Sequence, residues 1–360
     1  MNSPNRSHAF ANRQAERGLS LIELMISMTI GLLILSALVT MFANQSKMRG
    51  ELDKSTRMID NGRYALELLA DSLRVAGFYG NYTPSSGTPV ANDPCNLTTI
   101  TDSATNLDVL RQHVQGYDAA AAASQIASLP ATCGFTYTAG SATTLKPGSD
   151  ILVLRRVSTA PPVAAAAAVA TTIYLQVSNC STDTVSYQIA LGSADFSTLH
   201  DKNCTTAASL RPFLVQAYFV STDNNPGDGI PTLKRRELDQ TTGLFVTTPL
   251  VEGIEYMQVD YGVDADANGA ADSYIAAPAL ADWPNVVSIK INIVARNTEP
   301  TADYTDTKTY SLGLAGSVGP FNAAPYDAAP YPITYPKLAN YKRHGYTEVV
   351  RLVNPSSRRE

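Results

Sequence analysis

Charge is scarce in this chain of 360 residues. Asp, Glu, Lys and Arg make up 16% of it, against roughly 25% in an average soluble domain. The net charge of −5 and an isoelectric point near 5.4 exclude a protein that binds nucleic acid over its whole surface. Cysteine and histidine number four each, which leaves little material for a metalloenzyme. The spacings H-E-x-x-H, G-x-x-x-x-G-K, G-x-S-x-G and C-x-x-C do not occur, so no catalytic motif supports an enzyme. His8, His113, His200 and His344 stand apart from one another, as surface or structural histidines do. The length, in contrast, suffices to bury a core and allows two or three domains, which excludes a disordered chain or a minimal disulfide scaffold. Eighteen Tyr with 22 Gly and 21 Pro point to many strands and turns.

The N-terminal segment is the most informative. Residues 1–18 carry Arg6, Arg13 and Arg17 against the single acid Glu16. Charge then vanishes from Leu24 to Ala43, twenty residues that match a hydrocarbon core of about 30 Å as a helix. The basic side comes first, so the N-terminus is expected in the cytoplasm and the remainder outside it. No A-x-A-like cleavage site follows the span, so it is expected to stay attached.

The junction Arg17-Gly18-Leu19-Ser20-Leu21-Ile22-Glu23 resembles the class III leader of type IV pilins and type II secretion pseudopilins. The resemblance implies cleavage by a prepilin peptidase between Gly18 and Leu19, then N-methylation of Leu19. Leu19 stands where family members often have Phe. Glu23 is a carboxylate inside an apolar run, where an unpaired charge is costly and functional by default. The resemblance implies that it pairs with the N-terminal amine of a neighbouring subunit, which lowers the cost of burying both charges. Many major pilins have a Pro mid-span; Thr40 stands there, so no kink is expected.

The helical pattern continues past the span. Leu52, Ile59, Leu66 and Leu73 recur every seven residues, with Ser55, Gly62, Leu69 and Ala76 as companions. Gly77 is a natural stop, so one helix over 19–76 is expected, its second half packed on the following domain. Residues 77–360 read as a β-rich exported domain. Strands are expected at Asp150–Val157, Thr171–Ser178, Val185–Ala190, Phe213–Val220, Ile254–Val263, Val286–Ala295, Lys308–Leu314 and Tyr346–Val353. In Val286–Ala295, alternation predicts one buried and one wet face. Ala164–Ala168 reads as a loop or short helix, Ala119–Ala123 as low complexity, and Gly319–Pro336 as an extended surface connection. The fold class is therefore α+β: leader 1–18, helix 19–76 with its membrane part at 24–43, and head 77–360.

Tyr64–Gly80, Asp228–Leu233 and Tyr341–Arg351 resemble the PilW family of minor pilins, which implies a role in priming pilus assembly with other minor pilins and the major pilin, near a tip that carries an adhesin. A J-like pseudopilin of type II secretion is the competing reading. A tip adhesin or DNA-uptake pilin would need an exposed basic-aromatic patch; Tyr341-Lys342-Arg343-His344 is the one short candidate, and a solvated strand entry fits it better, so no nucleic-acid partner is expected.

Cys95, Cys133, Cys180 and Cys204 all lie in the exported part, where an oxidising periplasm favours disulfides. Three pairings are open. Loop closure favours Cys95–Cys133 with Cys180–Cys204, and free buried thiols are the alternative. No cofactor is required; calcium is the one candidate. Asp264, Asp266, Asn268 and Asp272 occupy loop positions one, three, five and nine, with Gly269 at six, as in an EF-hand-type loop. Position twelve is Ile275 rather than a bidentate Glu, and an Asx-type turn satisfies the same residues without metal.

Overall fold

Helix formers without an interrupting proline carry α1 from Leu21 to Arg74. The computed structural model describes residues 18, 20–90, 92–102, 106–118, 129–138, 140–321 and 338–359. The chain divides into two units, Met1–Asp53 and Lys54–Glu360. In the first unit α1 is apolar all round from Leu24 to Ala43 and its side chains there are exposed, with Leu33 and Phe42 each above 70%. The hydroxyls of Ser27, Thr29 and Thr40 bond to carbonyls one turn back, which satisfies them within the helix.

In the second unit the buried face of α1 is Met58, Gly62, Ala65, Leu66, Leu69, Ala70 and Leu73. This corrects the seven-residue stripe, since Leu52 and Ile59 are exposed. A straight helix drifts about 20° per heptad against a strict repeat of seven. Packing on sheets therefore selects positions spaced by 3.6, and the small residues among them let the backbone come close. Each fully buried Leu contributes roughly 1.5–3 kcal/mol. The helix ends two residues before the expected Ala76. Gly77 then adopts φ +70° and donates its N–H to Arg155 O at 2.9 Å.

The strands of the head are β1 (Val114–Tyr117), β2 (Ile151–Val157), β3 (Ile173–Val177), β4 (Tyr187–Leu191), β5 (Leu210–Ser221), β6 (Thr232–Leu238) and β7 (Phe245–Glu252). They continue as β8 (Ile254–Val263), β9 (Ser273–Ile275), β10 (Val286–Arg296), β11 (Tyr310–Ser311), β12 (Ser317–Val318) and β13 (Arg343–Arg351). Short helices α2 (Leu97–Thr101), α3 (Asn106–Arg111) and α4 (Val353–Ser357) complete the head. The larger sheet runs β1-β2-β5-β3-β4, with β6 also on β5 and β7 on β6; the second runs β13-β10-β8-β9. The pairings are antiparallel, with Ile291 opposite both Glu348 and Val259.

The main core joins the buried face of α1 to Leu152, Leu154 and Tyr218 of the larger sheet and to Met257, Val259, Tyr261, Ile289, Ile291 and Ile293 of the second. A second core lies against Ile151, Val153, Phe213 and Phe219, and includes Cys95, Cys133 and α2 residue Ile100. The expected wet face of β10 is covered instead. Ser288 and Asn292 are buried, and Val294 packs with Tyr256 under Tyr310, Leu312, Val318 and Phe321.

Other differences have local causes. Lys308–Leu314 forms only the two-residue β11, because Gly313 turns at φ +65° and Leu314 N–H bonds to Asp260. Phe321 is buried, so Gly319–Phe321 is not a surface connection; its continuation 322–336, like Ala119–Ala123, lies outside the described residues. Within Ala164–Ala168, Ala165–Ala167 forms a 3₁₀ turn. Strands β1, β6, β7, β9 and β12 were not expected. β6 is rich in charge, and β7 carries Pro249, which a strand tolerates at an edge.

The C-terminal segment returns to α1. Asn354 Nδ2 donates to Ala76 O at 3.1 Å, and Arg358 Nη2 donates to Gly77 O at 2.6 Å. These donors satisfy carbonyls that a helix end leaves without partners.

Candidate functional site

Gly18 and Ser20 are exposed, while Leu19 and residues 1–17 lie outside the described residues. A Cβ added at Gly18 would meet nothing within 4 Å, so packing within this chain does not require glycine there. Glu23 closes the first turn of α1. Ser20 donates its N–H to Glu23 Oε2 at 3.0 Å, and Ser20 O accepts Leu24 N–H at 3.1 Å. This is half of a capping box, with the acid at the helix's third position. Sequence reading overlooked Ser20, although the S-x-x-E spacing was its signal. Glu23 is the one charged residue between Arg17 and Lys47.

The structure pairs Cys95 with Cys133 and Cys180 with Cys204, with Cα separations of 5.0 and 5.1 Å. Asp93 accepts N–H groups from Cys95 and Thr132, which ties the first disulfide to its loop. Near the second, His200 Nδ1 lies 2.9 Å from Asp183 Oδ1. A bond from Ser178, then those from His200, hold the Asp183 carboxyl down at about 2. His113 is buried, with Nε2 2.7 Å from Val286 O, and burial lowers its pKa to about 4.

The segment Tyr341–His344 is neither an exposed basic-aromatic patch nor a solvated strand entry. The Arg343 side chain is fully buried. It donates to both oxygens of Glu255, to Asp306 at 3.0 Å and to the carbonyls of Tyr341 and Leu338. Phe321 stacks on its guanidinium, and Arg296 stacks on Tyr341. Burial alone would raise the Glu255 pKa; Arg343, Arg296 and Lys146 outweigh it and hold the carboxyl at about 2. Arg343's acidic partners, Asp306 and Glu255, lie 37 and 88 residues away in sequence, which is why this cluster was not legible.

In the loop after β8, Asp264, Asp266 and Asp272 each bring a carboxylate oxygen within 4.8 Å of the others, a set that could hold a cation. Most of its oxygens have donors within the chain. Asp264 accepts Gly269 N–H at 2.9 Å and Asn268 N–H at 3.2 Å, and Arg359 Nε lies 3.2 Å from it. Burial would raise the Asp264 pKa, but Gly269 N–H and Arg359 keep it lowered. Asp272 accepts Ala265 N–H at 2.7 Å. The Asn268 carbonyl oxygen, an expected ligand, accepts Ala270 N–H instead. Ile275, at position twelve, lies in β9 and offers no side-chain oxygen.

Comparison with known proteins bears on both ends of the chain. Residues 217–354 match the family described as Type IV Pilus-assembly protein W, and residues 13–39 match the prokaryotic N-terminal methylation motif. Among solved structures, a type IV-like pilin from Thermus thermophilus aligns at 12% identity with a TM-score of 0.25, covering 58% of this chain and 80% of that one. No curated protein matches the chain. The two family matches, one over the junction at Gly18 and one over the second sheet and its edge strand, show that this chain is similar to type IV pilus-assembly proteins of the PilW kind at its head and to N-methylated pilin-type proteins at its N-terminus.

Proposed function

We propose that this protein helps to initiate assembly of the type IV pilus and enters the fibre near its tip, after a prepilin peptidase removes residues 1–18. The observation that carries the reading is the first unit of α1: exposed apolar side chains all round, with Glu23 as the one charge before Lys47. Such a surface suits lipid before assembly and neighbouring helices after it, not water. Methylated Leu19 then begins the chain, and Glu23 pairs with the terminal amine of a neighbour. The N-terminus starts in the cytoplasm, residues 24–43 cross the inner membrane, and residues 77–360 form the periplasmic head, later displayed on the fibre. Its partners are other minor pilins, the major pilin, the peptidase and a tip adhesin; its role is structural and non-enzymatic. The disulfides suit an oxidising compartment. The open space at Gly18 supports recognition by an external cleft.

Mass spectrometry of the protein extracted from membranes with active peptidase tests the reading. An N-methyl-Leu19 terminus is expected; an intact Met1 terminus would refute it.

A further inference from the structure

A small cavity lies on the larger sheet where β3 meets β5. Leu175 stands opposite Arg211 in that pairing, and Ser209 shares the side of Arg211 by alternation. Leu175, Val177, Ser209 and Arg211 line the cavity from the sheet, and Tyr79, Asn81 and Asn179 line it from the chain around it. Its volume is about 40 Å³, room for a small head group and not for a ring.

The polar groups are fixed from outside the cavity. Arg211 Nη1 donates to Ala160 O at 2.8 Å and to Ser158 O at 3.2 Å, and its guanidinium lies 5.9 Å from the centre of the Phe78 ring. Among the described residues, Arg211 Nε and Nη2 have no partner and no carboxylate pairs with them. Ser209 is exposed, and its hydroxyl likewise has no partner among the described residues. Asn81 Nδ2 donates to Asn179 Oδ1, Asn179 Nδ2 to Asp201 Oδ1 at 3.2 Å and Asn179 N–H to His200 O at 2.9 Å. The adjoining Cys180–Cys204 disulfide anchors that segment. Beside the cavity, Tyr187 stands opposite Val177, and its ring centre lies 4.6 Å from that of Tyr82, the residue after Asn81.

We propose that this cavity binds the carboxylate of a uronate unit in an acidic polysaccharide. The Nε–Nη2 edge of Arg211 and the Ser209 hydroxyl donate to the two carboxylate oxygens. The sugar ring stays outside and rests against Tyr82 and Tyr187, whose rings offer an apolar body and a polar tip. The amides of Asn81 and Asn179 both donate and accept, as sugar hydroxyls do. A peptide carboxylate would fill the same cavity and leave the amides and the tyrosine pair unused. Binding here is a property of the head, apart from the assembly role.

Calorimetric titration of the full chain in detergent tests the proposal, with a galacturonate tetramer as probe and its methyl ester as neutral control. The tetramer should bind, and esterification, which keeps the hydroxyls and removes the charge, should weaken binding at least about tenfold. Arg211→Gln should have an effect of the same size. Ser209→Asp adds a carboxylate at an exposed position, leaves the fold in place, and should also weaken binding at least about tenfold. Lys202→Gln removes an exposed cation outside the cavity and should leave binding within about twofold. No binding of the tetramer, equal binding of its ester, indifference to Ser209→Asp, or a carboxyl-terminated peptide binding as tightly as the tetramer would overturn the proposal.

Discussion

Leu33 and Leu69 lie on one helix and meet opposite fates: the first is 71% exposed, the second fully buried. Around Leu33 the helix is apolar on every side, with no polar face to turn to water. Around Leu69 one stripe is apolar and small, while Glu67, Asp71 and Arg74 face outward. The difference teaches that apolarity alone does not identify a core. Its angular spread does: a narrow stripe finds its cover within the chain, and a full circumference needs a non-aqueous surrounding.

The largest test addresses the first half. Glu23→Val should leave head melting unchanged and strongly reduce incorporation into fibres, because the neighbour's amine loses its partner at a cost of about 3–5 kcal/mol if buried. Normal fibre incorporation of the variant would break the assignment. Next, Leu69→Ala should destabilise the head by about 2–5 kcal/mol, measured by denaturant unfolding, while Leu33→Ala should leave the same midpoint in place.

A third test concerns His113, whose Cβ lies close to Gly77 at the end of the buried half. Its folded pKa, lowered from 6.5 to about 4, means that its contribution is fully present above pH 6.5 and is lost as the pH falls toward 4. The loss amounts to roughly 3 kcal/mol, and His113→Gln should flatten that slope in pH-dependent unfolding. Fourth, Gly62→Ala would drive a Cβ into the Tyr346 ring, costing about 1–3 kcal/mol; Tyr346→Ala in the same chain should recover part of that loss. The smallest effect is expected at the Asp264 loop. Arg359 and main-chain N–H groups already face its carboxylates, so melting in millimolar calcium and in chelator should coincide. A calcium-dependent rise abolished by Asp264→Ala would reverse that expectation.

Much of the fold was legible where a single period ran long enough. α1 and the bounds of β8 follow from uninterrupted helix formers and from apolar residues at alternate positions. β10 was legible too, but not the burial of Ser288 and Asn292, since Ser288 meets Tyr274 of β9 and Asn292 lies against Gly313. β6 carries Lys234, Arg235 and Arg236 in succession, and only its place between β5 and β7 makes it a strand. At the site, Glu23 stood out through its apolar neighbours, while Ser20 was masked by the same run. The acids at 264–272 were plain to see; Arg359, which meets them across 95 residues, was not.

The clasp between α1 and the C-terminal segment sets an order on synthesis. Ala76 waits 278 residues for Asn354, and Ile59 waits 287 for Tyr346. At about 5–20 residues per second, that interval is roughly 15–55 s, during which the apolar stripe of the second unit lacks the strands that cover it. A head made first at its stalk and closed last by its tail must therefore be guarded from premature association while it emerges. A chain truncated before residue 354 would leave the ribosome with its first helix still open.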